Sequence, residues 1–117
     1  EFTREGWDQV VDVNLNSVMD AATAFHPALT QAKGAIIIVS SVAAFKSTIG
    51  TPAYAASKAG AASLTKTLGE AWARDGIRVN SILTHRADET VGNLAAYLVS
   101  DYAAYVTGAV MGVDEHD

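Results

Sequence analysis

Gly34 breaks the chain immediately before Ala35-Ile36-Ile37-Ile38-Val39, and this short run constrains the fold more than any other feature. It is rich in β-branched residues and shows no alternation of apolar and polar side chains. A strand with one wet face alternates, whereas one covered on both faces does not, and such strands are the habit of parallel sheets. The run exits into Ser40-Ser41. In open parallel sheets ligands bind beyond the carboxyl ends of the strands, so two hydroxyls there are well placed for chemistry.

The segments around this strand read as helices and further strands. Thr3 is a candidate helix cap, with Arg4 and Glu5 in the first turn. Trp7, Val11, Val18 and Phe25 then fall on one face at about 100° per residue, and Asn14 lies on the same stripe. Pro27 is expected to kink or end this helix near Ala28-Leu29. Residues 42 to 53 read as a loop, and an alanine-rich helix is expected from Tyr54 to Arg74, closed by Asp75-Gly76. Ile77 to Leu83 reads as a second strand. Asp88 can cap a third helix with Val91, Leu94, Ala95 and Leu98 as its apolar face, and Gly108 precedes a last strand from Ala109 to Val113. Helices alternating with strands in this order indicate an α/β fold with a parallel sheet.

Composition narrows the function classes. At 117 residues the chain has room for one domain, and 50% hydrophobic residues exclude a disordered chain. Its 8 Lys+Arg against 13 Asp+Glu argue against a nucleic-acid partner, which normally meets a basic stripe. There is no cysteine, and His26, His85 and His116 share no helical ligand spacing, so no metal site is expected. No apolar run approaches the roughly 18 residues that span a bilayer, and Glu1 to Glu5 is no signal peptide, so a cytoplasmic protein without a membrane partner is expected.

Tyr54 and Lys58 are four residues apart on one helix and so face the same way. A cation about 5 Å from a phenol oxygen, at an effective dielectric near 20, favours phenolate by roughly 3 kcal/mol. A tyrosine so placed suits proton transfer, although a Tyr four residues before a Lys is also a common solvated helix face. Ser41, thirteen residues before Tyr54, can hydrogen-bond an oxygen held near the phenol. An amide on an apolar stripe, as at Asn14, must find partners or cost about 1–3 kcal/mol. Together the four residues offer a structural amide, a polarising hydroxyl, an acid/base and a cation.

Four stretches resemble the short-chain dehydrogenase/reductase family: Asp12-Val13-Asn14-Leu15, Ile38-Val39-Ser40-Ser41-Val42-Ala43, Tyr54-Ala55-Ala56-Ser57-Lys58-Ala59-Gly60 and Gly76-Ile77-Arg78-Val79-Asn80-Ser81-Ile82. Leu98 to Asp101 and Val106 to Gly108 are similar to the family's last helix and the approach to its final strand. The resemblance implies a partial Rossmann-like, doubly wound parallel sheet of about three strands. It implies NAD or NADP as cofactor, an alcohol or ketone as substrate, and a homodimer or homotetramer packed through the two long helices. Carried over residue by residue, Tyr54 is the acid/base, and Lys58 holds the nicotinamide ribose and assists Tyr54, so both bind cofactor. Ser41 polarises the substrate oxygen, and Asn14 holds its helix open around a water in a proton relay.

The sequence also departs from the family pattern. Its nine glycines make no phosphate-cradling cluster. After Ile82 the family continues into a Pro-Gly turn and a long substrate-covering segment, whereas here Leu83-Thr84-His85-Arg86-Ala87 runs almost directly into the last helix. Residues 1–117 are therefore read as one partial domain, the C-terminal catalytic half, with a segment omitted between 83 and 87. The alternative is a catalytically inactive truncated product that serves as an oligomerisation or interaction module. A three-stranded remnant would expose a strand edge, which favours omitted stretches over a genuine short product.

Overall fold

The computed structural model describes residues 3–40, 51–84 and 88–113. Helix α1 (Arg4–Val11) starts as the sequence signals, Thr3 Oγ accepting the Gly6 N–H at 3.0 Å. It passes through a π-turn over Asp12–Asn16 into α2 (Ser17–Ala32). Strand β1 (Ala35–Ser40) follows, then α3 (Pro52–Ala71), β2 (Arg78–Leu83), α4 (Glu89–Val99) and β3 (Val110–Gly112). Short 3₁₀ turns at Ala73–Asp75 and Asp101–Ala103 close α3 and α4.

The three strands form one parallel sheet in the order β1-β2-β3. Ala35 pairs with Arg78 and Ser40 with Leu83, so β1 and β2 are in register along their full length. Parallel strands need a crossover, and α3 supplies it. One face of the sheet packs Ile38, Ile77 and Val79 against Ala22 of α2 and Ala61 and Leu68 of α3. The other packs Ile82 against Val91 and Leu98 of α4, with Ile37, Leu94 and Ala95 joining. The non-alternating run in β1 thus has helices on both faces of the sheet, except that Val39 near its end is 53% exposed.

Two helix expectations need correction. Helix α2 does not end at Pro27 but runs through it to Ala32. Proline removes one hydrogen bond from the ladder, yet Leu29 beyond it packs against the core. Thr30 Oγ bonds the His26 carbonyl, and Lys33 closes the helix in the left-handed conformation. The stripe through Trp7, Val11, Val18 and Phe25 also does not face inward as a whole. Leu15, Val18, Ala22 and Leu29 meet the core, whereas Trp7 is 39% and Phe25 62% exposed. The π-turn adds a residue to one turn, which resets the helical phase between α1 and α2.

The other boundaries follow local chemistry. Gly76 adopts φ +78° at the end of the turn after α3, a conformation costly for residues with a Cβ. Asp88 caps α4, its carboxylate accepting the Thr90 N–H at 2.9 Å. Among the described residues no helix is long and apolar enough to cross a membrane. The expected break between Leu83 and Ala87 falls on residues 85–87, outside the described residues.

Candidate active site

Because all three strands are parallel, their carboxyl ends share one edge of the sheet, and α3 starts beside it. Pro52 occupies the start of α3, where its missing N–H costs nothing. Tyr54 and Lys58 follow one helical turn apart. The Lys58 ammonium stands 5.6 Å from the centroid of the Tyr54 ring, and Tyr54 is 37% exposed. The cation and the phenol are therefore neighbours on a surface that a ligand can reach.

The side of α3 that meets the sheet explains why these two residues point elsewhere. Ala53, Ser57, Ala61 and Leu68 recur at helical spacing and are buried. Small side chains in the first half of that stripe let the helix start lie close to the sheet. Ser57 Oγ donates to the Tyr54 carbonyl at 2.8 Å, which ties the turn carrying the phenol to the buried side of the helix.

Asn14 sits in the middle of the π-turn, half-buried. That turn packs on α3, with Leu15 against Gly60. A π-turn widens the helix and frees backbone groups from their usual partners, and here it lies beside the helix that carries Tyr54 and Lys58. Ser41, the fourth candidate, lies outside the described residues. The described structure thus brings Tyr54 and Lys58 together and sets the Asn14 turn against their helix.

One residue that the motif does not single out shares this edge. Ser40 ends β1 and is 5% exposed, although strand alternation with Ile38 already points it to the helix-covered face. In the sequence neither stretch that joins a strand to a helix, 41–51 or 84–88, carries a glycine cluster, and Asp88 caps the start of α4 with a carboxylate.

The sequence pattern of the short chain dehydrogenase family matches residues 1–93. The chain is 34% identical to the 3-oxoacyl-[acyl-carrier-protein] reductase of Thermotoga maritima, over 94% of this chain and 56% of the relative. That match has 138 aligned positions, more than the chain itself has residues, so the relative carries internal residues without a counterpart here. Among solved structures, an oxidoreductase of this family from Brucella ovis, in complex with a partially ordered NAD, superposes with a TM-score of 0.88 at 28% identity, covering 97% of this chain and 55% of that one. A structure from Agrobacterium tumefaciens with bound NADP gives a TM-score of 0.89 at 30% identity, covering 97% and 59%. The chain spans a little over half the length of the relatives it matches. By its sequence match and by the architecture around Tyr54 and Lys58, the chain belongs to the short-chain dehydrogenase/reductase family.

Proposed function

We propose that this chain is the catalytic half of an NAD- or NADP-dependent oxidoreductase that interconverts an alcohol and a ketone. The observation that carries the reading is the Lys58 ammonium 5.6 Å from the Tyr54 ring, at the carboxyl edge of a parallel sheet. Its relatives include a reductase and structures holding NAD and NADP. Residues 1–117 act as one partial domain, and a substrate-covering segment belongs between 83 and 87. The internal residues of the Thermotoga maritima protein that have no counterpart here support an omitted segment. A cytoplasmic location and a small-molecule substrate complete the reading.

The residues fit one end of a dinucleotide. A phenol and an ammonium on an accessible helix face suit the hydroxyls of the nicotinamide ribose, which Tyr54 and Lys58 would hold. The described residues supply no cradle for the pyrophosphate. When bound, the nicotinamide gives or takes the hydride. Tyr54 gives its phenolic proton to the oxygen of the forming alcohol, or takes a proton from the alcohol in the reverse direction. Lys58 holds the ribose hydroxyls beside the phenol, Ser41 orients the substrate oxygen through a hydrogen bond, and Asn14 holds the π-turn open around a water that passes protons from Lys58 to solvent. Tyr54→Phe in the complete enzyme tests the central role, and near-normal turnover would refute it.

A second reading rests on the free edge of β1, which has no neighbouring strand on its outer side among the described residues. Val18, Ala22, Phe25, Ile36 and Ile38 line an apolar groove of about 470 Å³ along that edge. An inactive piece would use such a surface and the long helices to associate. Light scattering at micromolar concentration tests the association that both readings expect, since a monodisperse monomer contradicts this one and also the homodimer or homotetramer expected for the enzyme.

A further inference from the structure

Ser40 Oγ is the single buried side-chain polar atom among the described residues that has no hydrogen-bond partner. Its main chain is already engaged, the carbonyl accepting the Thr84 N–H at 3.1 Å. A buried hydroxyl left dry is costly, and native ones nearly always find a protein group or an ordered water.

The surroundings of Ser40 point to a water and to its other partner. Ser40 faces the same way as Ile38, which shares a cluster with Ala61 of α3. Two residues along β1 from Ile38 is a rise of about 6.6 Å and reaches Ser40. One helical turn from Ala61 toward the start of α3 is a rise of about 6 Å and reaches Ser57. Both serines therefore lie one step beyond the shared Ile38 and Ala61 cluster, toward the carboxyl end of β1 and the start of α3. Ser57 is 1% exposed, and its hydroxyl, donating to the Tyr54 carbonyl, keeps lone pairs free to accept. Ser40 Oγ forms no hydrogen bond to it, so a link between the two hydroxyls needs a water.

We infer that an ordered water bridges Ser40 Oγ and Ser57 Oγ, and that Ser40 is thereby a positioning residue for the Tyr54 phenol. The water accepts from the Ser40 hydroxyl and donates to Ser57, whose own proton stays on the Tyr54 carbonyl. The chain of bonds joins the end of β1 to the turn of α3 that carries the phenol. Its value to catalysis rests on the acid/base reading of Tyr54, whereas the bridge itself does not.

An atomic-resolution crystal structure of the chain is expected to show a water in hydrogen-bonding distance of both hydroxyls. A dry contact, or Ser40 Oγ bonded directly to protein, overturns the inference. In solution, the amide and ring resonances of Tyr54 should move in Ser40→Ala and in Ser57→Ala, and the double variant should move them no further than either single one. Ser40→Thr, which keeps the hydroxyl and suits a strand, should restore them. Unmoved Tyr54 resonances in Ser40→Ala overturn the positioning role. In the complete enzyme Ser40→Ala should lower kcat about tenfold with the dinucleotide KM unchanged, as a slightly misplaced acid/base would, and an unchanged kcat overturns that role too. Should Tyr54→Phe remain active while the water and the Tyr54 shifts are observed, the acid/base reading fails and the bridge stands.

Discussion

Gly60 lies directly against Leu15: a Cβ on Gly60 would come within 2.9 Å of the Leu15 Cδ2. This contact presses the π-turn that holds Asn14 onto the helix that holds Tyr54 and Lys58. Only the tip of a flexible side chain stands in the way, so Leu15 can turn aside. At Gly69 the neighbour is different, since a Cβ there would sit 2.7 Å from the Gly108 Cα and N.

The two glycines should therefore respond differently to alanine. Alanine gains about 0.5–1 kcal/mol over glycine in a helix interior, which offsets much of the crowding at Gly60. Gly60→Ala should fall within about 1 kcal/mol of wild type. Gly69→Ala has backbone to displace and should destabilise by about 1–3 kcal/mol, in line with overpacked cores. Urea denaturation of both variants measures the contrast, and equal midpoints would contradict it.

Arg78 should prove to be a strong stabilising residue outside the site. Its guanidinium donates to the carbonyls of Leu98, Val99, Ser100 and Ala103, which gathers the end of α4 and the turn after it onto the start of β2. Hydrogen bonds to charged groups contribute about 1.5–3 kcal/mol each, and a cation also suits a helix C-terminus. Arg78→Met should cost at least about 2 kcal/mol. Hydrogen exchange should show faster opening of the last turn of α4, while the amides of α3 keep most of their protection.

In the complete enzyme, Tyr54→Phe should lower turnover by about 10²–10⁴-fold, the usual range for lost acid–base catalysis. The ring stays, so the fold and the dinucleotide affinity should change little. Lys58→Ala should reduce both turnover and dinucleotide affinity, whereas Ser41→Ala should act mainly on turnover. Steady-state kinetics with dinucleotide and substrate varied separately divide these three patterns.

The 117-residue chain alone should bind neither NAD nor NADP tightly. A ribose site without a pyrophosphate cradle lacks the helix N-terminus and glycine turn that hold the charged part of the ligand. Calorimetric titration tests this directly, and micromolar or tighter binding would show that other residues hold the phosphates.

Much of the fold was legible because its signals are local. The run Ala35 to Val39, the Thr3 and Asp88 caps and the left-handed Gly76 each declare a strand, a helix start or a helix end within a few residues. The spacing of Tyr54 and Lys58 likewise determines that they share a helix face, since four residues are close to one turn. Tertiary contacts decided the rest. Helix α2 continues through Pro27 because Leu29 has a core to enter. The side chain of Asn80 holds Val106 and Ala109, nearly thirty residues away, and Thr107 Oγ accepts from Val79 N–H. The phase of the first helical stripe depended on one extra residue in a π-turn, which no apolar period reveals. The burial of Ser40 at the end of β1 likewise depends on what the fold brings over it and not on its neighbours in sequence. Caps and periods record what a chain does within one turn of itself, whereas burial depends on which distant segment arrives to cover a residue.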